Sequence, residues 1–136
     1  MLLDSFDVIV IGLGAMGSAA AYQLVKAGRS VLGLDRFAPP HALGSSHGQT
    51  RIIREAYFEH PLYIPLVQRA YQLWNDLQEQ SVHELFRQTG GLMMGRENGM
   101  VFPGAKRSAE VHHLDHEVLS AREVASAFPR CNPAIL

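Results

Sequence analysis

Two arginines and a histidine stand close together between residues 44 and 57, in the stretch GSSHGQTRIIREAY. A planar guanidinium binds a carboxylate through two parallel hydrogen bonds, so these arginines are candidates for holding an amino-acid substrate. A fixed cation also stabilises negative charge that develops during a reaction. Two arginines three residues apart on a helix are nevertheless more often a solvated face, paired with acids such as Glu55 and Glu59. The residues before this stretch decide between the two interpretations.

A glycine motif precedes the arginines and follows a β-branched run. The run DVIVI predicts a parallel strand covered on both faces, and GLGAMG comes directly after it. In such a motif one glycine makes a tight turn, a second lets the backbone approach a pyrophosphate, and a third lets helix pack against strand. The phosphate lies at the helix N-terminus, where free N–H groups favour an anion. The residues predicted to line this turn are Ile11, Gly12, Gly14, Ala15, Met16 and Gly17.

A helix and a second strand complete a β-α-β unit over residues 5–36. The helical stretch SAAAYQLVKAG ends at Gly28, where a left-handed C′ position favours glycine. The strand SVLGLD then ends at Asp35, followed by Arg36. An acid at this strand end accepts a hydrogen bond from an adenosine ribose and disfavours the 2′-phosphate of NADP. The motif therefore predicts dinucleotide binding, with NAD and FAD both open.

Residues 37–58 are predicted as a loop followed by a helix. Prolines and glycines dominate the loop, and the helix is expected to begin near Thr50. If residues 50–56 are helical, Arg51 and Arg54 share one face, as a common site would require.

The remainder, residues 59–136, is predicted to be helices with one short strand. Apolar residues recur at helical spacing from Pro65 onward, and TGGLMMG at 89–95 is predicted as the strand. Residues 103–113 are weakly helical, and SARE at 120–123 is a capping box that opens a helix through Phe128.

Composition excludes several classes of function. With 12 basic and 13 acidic residues, the net charge of -1 leaves no broad electrostatic footprint for nucleic acid or an anionic membrane. The single cysteine, Cys131, allows no disulfide framework and favours a reducing compartment. We expect the cytoplasm, and the peroxisome stays open if the source is a eukaryote. The N-terminus carries Asp4 and Asp7 and no basic region, so we expect neither a signal peptide nor a membrane span. No metal site is expected.

The string PPHALGSSHGQTRIIREAY, at 39–57, resembles the flavin-proximal segment of the monomeric sarcosine oxidase and N-methyltryptophan oxidase family. The similarity extends through YIPLVQRAYQLWNDL and FRQTGGLMMG to REVASAFP. The resemblance implies an α/β fold: a Rossmann-type FAD-binding domain that forms the N-terminal portion of a two-domain flavin oxidase. Since family members are considerably longer, we expect this chain to be their N-terminal part, with the substrate domain largely absent.

The resemblance also implies an activity and a set of roles. Such enzymes use FAD to oxidise N-methyl or other small amino acids, transfer a hydride equivalent from the amine α C–H to the flavin, pass the electrons to oxygen and make hydrogen peroxide. The complete enzyme is expected to be monomeric. By position, Arg54 resembles the arginine that holds the substrate carboxylate, and Arg51 the one beside the flavin ring. Four more residues are placed near the cofactor by the same resemblance: Ser45, Ser46, His47 and Thr50.

Two alternatives stay open at this point. The motif GLGAMG alone fits an NAD-dependent hydroxyacid-type dehydrogenase equally well. A chain that stops before the substrate domain could also be a non-catalytic, truncated nucleotide-binding module, and by itself we expect it to be inactive.

Overall fold

The computed structural model describes residues 5–131, and the chain divides into two compact units, Met1–Arg51 and Ile52–Leu136. The first unit contains strand β1 (Val8–Ile11), helix α1 (Ala15–Lys26) and strand β2 (Val31–Leu34). The two strands pair in parallel, with Val8 opposite Val31 and Ile11 opposite Leu34. This is the predicted β-α-β unit, and it confirms the α/β fold class.

Helix α1 ends at the predicted left-handed glycine. Gly28 follows the C-cap Ala27 with φ +78°, which lies in the left-handed region. The N–H of Gly28 donates to Val25 O (2.9 Å) and the N–H of Arg29 donates to Leu24 O (3.0 Å). These two bonds form a Schellman motif, which satisfies carbonyls that the helix end would otherwise leave without partners.

Strand β1 is covered on one face only within the described residues. Val8 and Val10 are half-buried, whereas Ile9 is 56% exposed and Ile11 is 85% exposed. The expectation that both faces are covered is therefore wrong for this part of the chain. The physical reason is that a two-stranded sheet with one crossover helix supplies a cover for one side only.

The second unit is helical. A 3₁₀ turn (Pro61–Tyr63) leads into α2 (Ile64–Glu79), followed by α3 (Val101–Val111) and α4 (Ala121–Ala127). The predicted amphipathic helix and the weakly predicted helix are thus both present. The capping box of α4 is confirmed as well: Ser120 Oγ accepts from the N–H of Glu123 (3.3 Å), and Glu123 Oε2 accepts from the N–H of Ser120 (2.7 Å).

The core of the second unit is small, and α2 and α3 both pack against the 3₁₀ turn. One apolar side chain from α2 is fully buried, and Ser108 of α3 is also 0% exposed. Trp74 stacks on Phe86 at 6.4 Å between ring centroids and is still 38% exposed. The buried apolar residues are Ile64, Val67, Ala105, Ala109 and Val124.

The predicted helix from Thr50 is wrong, since residues 50–58 contain no helix. Side chains bind the backbone of this segment: Ser108 Oγ donates to Tyr57 O (2.5 Å) and the Tyr71 hydroxyl donates to Ile53 O (3.1 Å). Two consecutive β-branched isoleucines and a length of two turns give a helix here little intrinsic stability, so these tertiary contacts prevail.

The predicted strand at 89–95 is also wrong. Gly90 has φ +70°, and within residues 5–131 the one sheet pairs β1 with β2. A strand needs a hydrogen-bonded neighbour, and the apolar run LMM has none in the described part of the chain. Across those residues, no helix is both long enough and apolar enough to cross a membrane.

Candidate functional site

The glycine turn between β1 and α1 brings helix and strand into close contact. The N–H of Gly12 donates to Leu34 O (2.7 Å), which ties the turn to β2, and Gly12 has φ +89°. A Cβ on Gly17 would lie 1.7 Å from Gly12 O and 3.4 Å from Val10 Cγ1. Any side chain at position 17 would therefore push α1 away from the turn.

A serine from the following loop lies at the N-terminus of α1. The N–H of Ala15 donates to Ser46 Oγ (3.0 Å), and a Cβ on the N-cap residue Gly14 would lie 3.2 Å from that oxygen. The N–H groups of Met16 and Gly17 belong to the first helical turn, where helix geometry provides no partner. A hydroxyl beside such amides can also donate to an anion, so this corner fits a phosphate group.

Asp35 lies at the end of β2 with both carboxylate oxygens engaged. Its Oδ2 accepts from the N–H of Leu13 (2.7 Å), and its Oδ1 accepts from the N–H of Phe37 (3.0 Å). His41 Nε2 lies 3.3 Å from Oδ1. The N–H groups of Phe37 and Leu13, helped by His41, lower the pKa of Asp35 below its ordinary value. The carboxylate is therefore ionised at neutral pH, as an acceptor for ribose hydroxyls must be.

The turn, the helix N-terminus and Asp35 together fit the pyrophosphate and ribose of a dinucleotide. The structure brings Gly12, Gly14, Ala15 and Gly17 to this corner and adds Ser46 to them. Three other predicted cofactor residues are neighbours of this corner in the sequence. Ile11 and Met16 are 85% and 87% exposed, and the Arg36 guanidinium lies over the Phe37 ring at 5.3 Å.

Arg51 is held by backbone carbonyls of its own loop. Its Nη1 donates to Thr50 O (3.0 Å) and its Nη2 donates to Ser45 O (3.3 Å). Gly48 has φ +123°, and a Cβ there would lie 2.7 Å from Arg51 Nη1. Glycine at position 48 therefore allows the guanidinium to fold across the loop. Both of these hydrogen-bond partners are neutral carbonyls, so neither contact is an ion pair.

His47 bonds to the same loop through one ring nitrogen. Its Nδ1 lies 2.5 Å from Gly44 O, and a carbonyl oxygen only accepts, so Nδ1 carries a proton. In the neutral ring Nε2 is then the acceptor nitrogen. The side chain is exposed, so Nε2 is the nitrogen available to a ligand.

Arg54 lies in the second unit, among an acid and two aromatic rings. Its Nη2 is 3.5 Å from Glu59 Oε1, and both side chains are about two-fifths exposed, at 41% and 42%. The guanidinium lies 5.1 Å from the centroid of the Tyr57 ring and 5.3 Å from that of Phe58. The expected ion pair with Glu59 is present. Since residues 50–56 are not helical, the prediction that Arg51 and Arg54 share a helix face is wrong.

Other groups of polar side chains are weaker candidates for a functional site. A shallow depression of about 340 Å³ in the second unit is lined by Glu55 and Tyr71, with three glutamines around them. Burial, and secondarily the charge of Glu55, raises the pKa of Tyr71 above its ordinary value. Among residues 5–131 no three His, Cys, Asp or Glu side chains converge as metal ligands.

Sequence reasoning missed two residues of these arrangements, His41 and Gly48, in their observed roles. A histidine six positions after the strand-end acid, in a proline loop, is the signal that could have indicated His41. A glycine three positions before an arginine is too common a pattern to have indicated Gly48.

Comparison with known proteins places these features in a family. The sequence model of the FAD dependent oxidoreductase family matches residues 7–136. Monomeric sarcosine oxidase from Streptomyces avermitilis is 47% identical over 96% of this chain and 34% of its own length. Monomeric sarcosine oxidase from Bacillus sp. (strain NS-129) is 45% identical over 90% of this chain and 32% of its own length. N-methyl-L-tryptophan oxidase from Yersinia pestis (strain Pestoides F) is 42% identical over 91% of this chain and 33% of its own length.

The chain thus spans about a third of the length of these relatives. The match continues far beyond the glycine motif, which is the part that fitted an NAD-dependent dehydrogenase, so that alternative is not favoured. With a glycine turn and a strand-end acid arranged for a dinucleotide, and a family match over residues 7–136, the chain belongs to the FAD-dependent oxidoreductases.

Proposed function

We propose that the full-length protein is an FAD-dependent oxidase of N-methyl or other small amino acids. The observation that carries the proposal is the identity of 42 to 47% with oxidases named for sarcosine and N-methyl-L-tryptophan, over at least 90% of this chain. Both named substrates are secondary amines with a carboxylate on the neighbouring carbon. A protein that acts on them needs a flavin site and a cation for that carboxylate.

The first unit supplies the nucleotide site in this proposal. Bound FAD would accept a hydride equivalent from the carbon beside the amine and pass the electrons to oxygen, leaving an imine that water hydrolyses. The N–H groups of Ala15, Met16 and Gly17 would hold the pyrophosphate together with Ser46. Asp35 would hold the adenosine ribose.

Arg51 is proposed as the cation beside the flavin ring. Its hydrogen bonds go to the neutral carbonyls of Ser45 and Thr50, so no acid in these contacts cancels its charge. A charge fixed in this way stabilises negative charge that develops nearby during reduction. We place His47 and Thr50 in the same site, with His47 Nε2 as the nitrogen able to take a proton.

Arg54 is proposed as the arginine that binds the substrate carboxylate. Glu59 Oε1 already occupies one side of its guanidinium at 3.5 Å, which shows that a carboxylate fits there. The rings of Tyr57 and Phe58 support the guanidinium plane. A substrate carboxylate would replace Glu59 and make two parallel hydrogen bonds to the guanidinium. The reacting C–H would thereby be held in one orientation.

Steady-state oxidation of sarcosine by the full-length protein, with peroxide as the readout, tests this assignment. We expect Arg54→Lys to raise KM about tenfold or more, because a lysine cannot make the bidentate contact. We expect Glu59→Gln to lower KM by up to about fivefold, because it removes a competing carboxylate at an exposed pair. Arg69→Lys is the matched control, since Arg69 contacts Gln72 (2.9 Å) on an exposed face, and it should leave KM unchanged.

Two results would contradict the proposal. If neither sarcosine nor another N-methyl amino acid reduces the bound flavin without oxygen, the oxidase function is wrong. If sarcosine is oxidised but Arg54→Lys behaves like Arg69→Lys, the function stands and the role of Arg54 is wrong.

A further inference from the structure

The ring of His41 lies between the carboxylate of Asp35 and the backbone of its own loop. Its Nδ1 accepts from the N–H of Leu43 (3.1 Å), and its Nε2 lies 3.3 Å from Asp35 Oδ1. A backbone N–H only donates, so Nδ1 carries no proton and the proton is on Nε2. The side chain is 21% exposed, and its ring lies edge-on against Phe37 at 5.3 Å between centroids. Both ring nitrogens are thus engaged, in a single tautomer.

The hydrogen bonds to Asp35 leave one acceptor position open. A carboxylate offers about four lone-pair positions, two on each oxygen. On Oδ1, the N–H of Phe37 and the Nε2–H of His41 occupy both. On Oδ2, the N–H of Leu13 occupies one. No donor among residues 5–131 occupies the fourth position, on Oδ2, so within that part of the chain it is open to a ligand.

We propose that His41 is a positioning residue for the nucleotide: it fixes Oδ1 of Asp35, so that Oδ2 receives the ribose 2′-hydroxyl. This inference rests on the proposed function, in which the first unit binds FAD. With Asp35 12% exposed, rotation of its carboxylate is restrained by the three donors around it. Two of these donors are backbone N–H groups and the third is the His41 side chain, so a substitution at position 41 removes that donor without changing the backbone. A hydrogen-bond donor favours the ionised form of a carboxylate, so the negative charge of Asp35 stays available to the ribose.

A pair of substitutions separates this role from a purely structural one. His41→Gln places an N–H group near the position of Nε2 and so keeps a donor for Asp35, but it loses the acceptor for Leu43. His41→Asn places an oxygen near the position of Nδ1 and so keeps the acceptor, but it loses the donor. A loop-ordering role is preserved by asparagine, whereas the proposed positioning role is preserved by glutamine.

The experiment measures the affinity of the cofactor-free, full-length protein for ADP and for 2′-deoxy-ADP by isothermal titration calorimetry. We expect His41→Asn to weaken ADP binding about threefold to tenfold, the usual effect of one lost hydrogen bond. His41→Gln should stay within about twofold of wild type. Binding of 2′-deoxy-ADP should change little in either variant. In an Asp35→Ala background, His41→Asn should have no further effect on ADP, because the group through which it acts is gone.

Each contrary result has a defined meaning. If His41→Gln weakens ADP binding and His41→Asn does not, His41 orders the loop and the inference is overturned. Equal effects on ADP and 2′-deoxy-ADP would overturn it too. Wild-type protein that binds neither ADP nor FAD would overturn the nucleotide site itself, and the proposed function with it. Should the variants fail to fold, long-range ¹H–¹⁵N spectra of the wild-type protein decide: a proton on Nε2 of His41 supports the inference, and a proton on Nδ1 overturns it.

Discussion

Replacing Gly17 by alanine should separate α1 from the glycine turn. The added Cβ would lie 1.7 Å from Gly12 O and 2.9 Å from Gly12 C, whereas such contacts are essentially never below 3.0 Å. Relief of the oxygen contact therefore needs a shift of about 1.3 Å between helix and turn. The neighbouring atoms are backbone, so no side-chain rotation can absorb the shift. Overpacking of this kind costs about 1 to 3 kcal/mol of stability.

The same shift displaces the N–H groups proposed to hold the pyrophosphate. Loss of one hydrogen bond to a charged phosphate costs about 1.5 to 3 kcal/mol, so we expect the Kd for ADP to rise about tenfold to a hundredfold. Titration calorimetry of the cofactor-free, full-length protein measures it, and thermal unfolding reports the stability. Gly91→Ala is the matched control, because a Cβ there meets nothing within 4 Å. An ADP affinity within threefold of wild type in the Gly17 variant would refute the reasoning.

Three further predictions concern Gly48, Ser108 and Asp35. Gly48→Ala, whose Cβ would lie 2.7 Å from Arg51 Nη1, should slow anaerobic flavin reduction on the order of tenfold in stopped-flow measurements; an unchanged rate would mean that the guanidinium has another acceptable position. Ser108→Ala should cost about 1 to 2 kcal/mol in denaturant unfolding, since its buried hydroxyl donates to Tyr57 O; a loss below 0.3 kcal/mol would contradict this role. The pKa of Asp35 is lower in the folded protein than in the unfolded chain, so the ionised carboxylate stabilises the fold. This stabilisation is fully present above the unfolded pKa of about 3.9, and it is lost as the pH falls through the pKa of the folded protein. The difference in Tm between wild type and Asp35→Asn should therefore shrink as the pH falls below about pH 4; a difference that stays the same there would contradict the assignment.

The first unit was predictable from sequence because its signals are local. The β-branched run, the glycine turn and the strand-end acid each specify backbone geometry over a few residues, and Gly28 adopts the left-handed conformation expected of it. The capping box at Ser120 is equally local. In such segments the chain's own chemistry decides the structure, so a pattern of spacing is enough.

The segment around Arg54 was not predictable in the same way. A helix was the reasonable expectation from spacing, but the carbonyls of Ile53 and Tyr57 bind side chains from α2 and α3 instead. Residues 18 and 51 positions away along the chain determine that outcome, and no local pattern contains them. The role of His41 likewise depends on the carboxylate of Asp35, which its ring reaches only because the loop folds back toward the end of β2.

The absorption spectrum of the purified full-length protein tests the central claim most directly. We expect the two visible bands of an oxidised flavin, and we expect both to bleach when sarcosine or another N-methyl amino acid is added without oxygen and to return when air is admitted. A purified, folded protein that carries no flavin and takes up none when FAD is supplied would contradict the account.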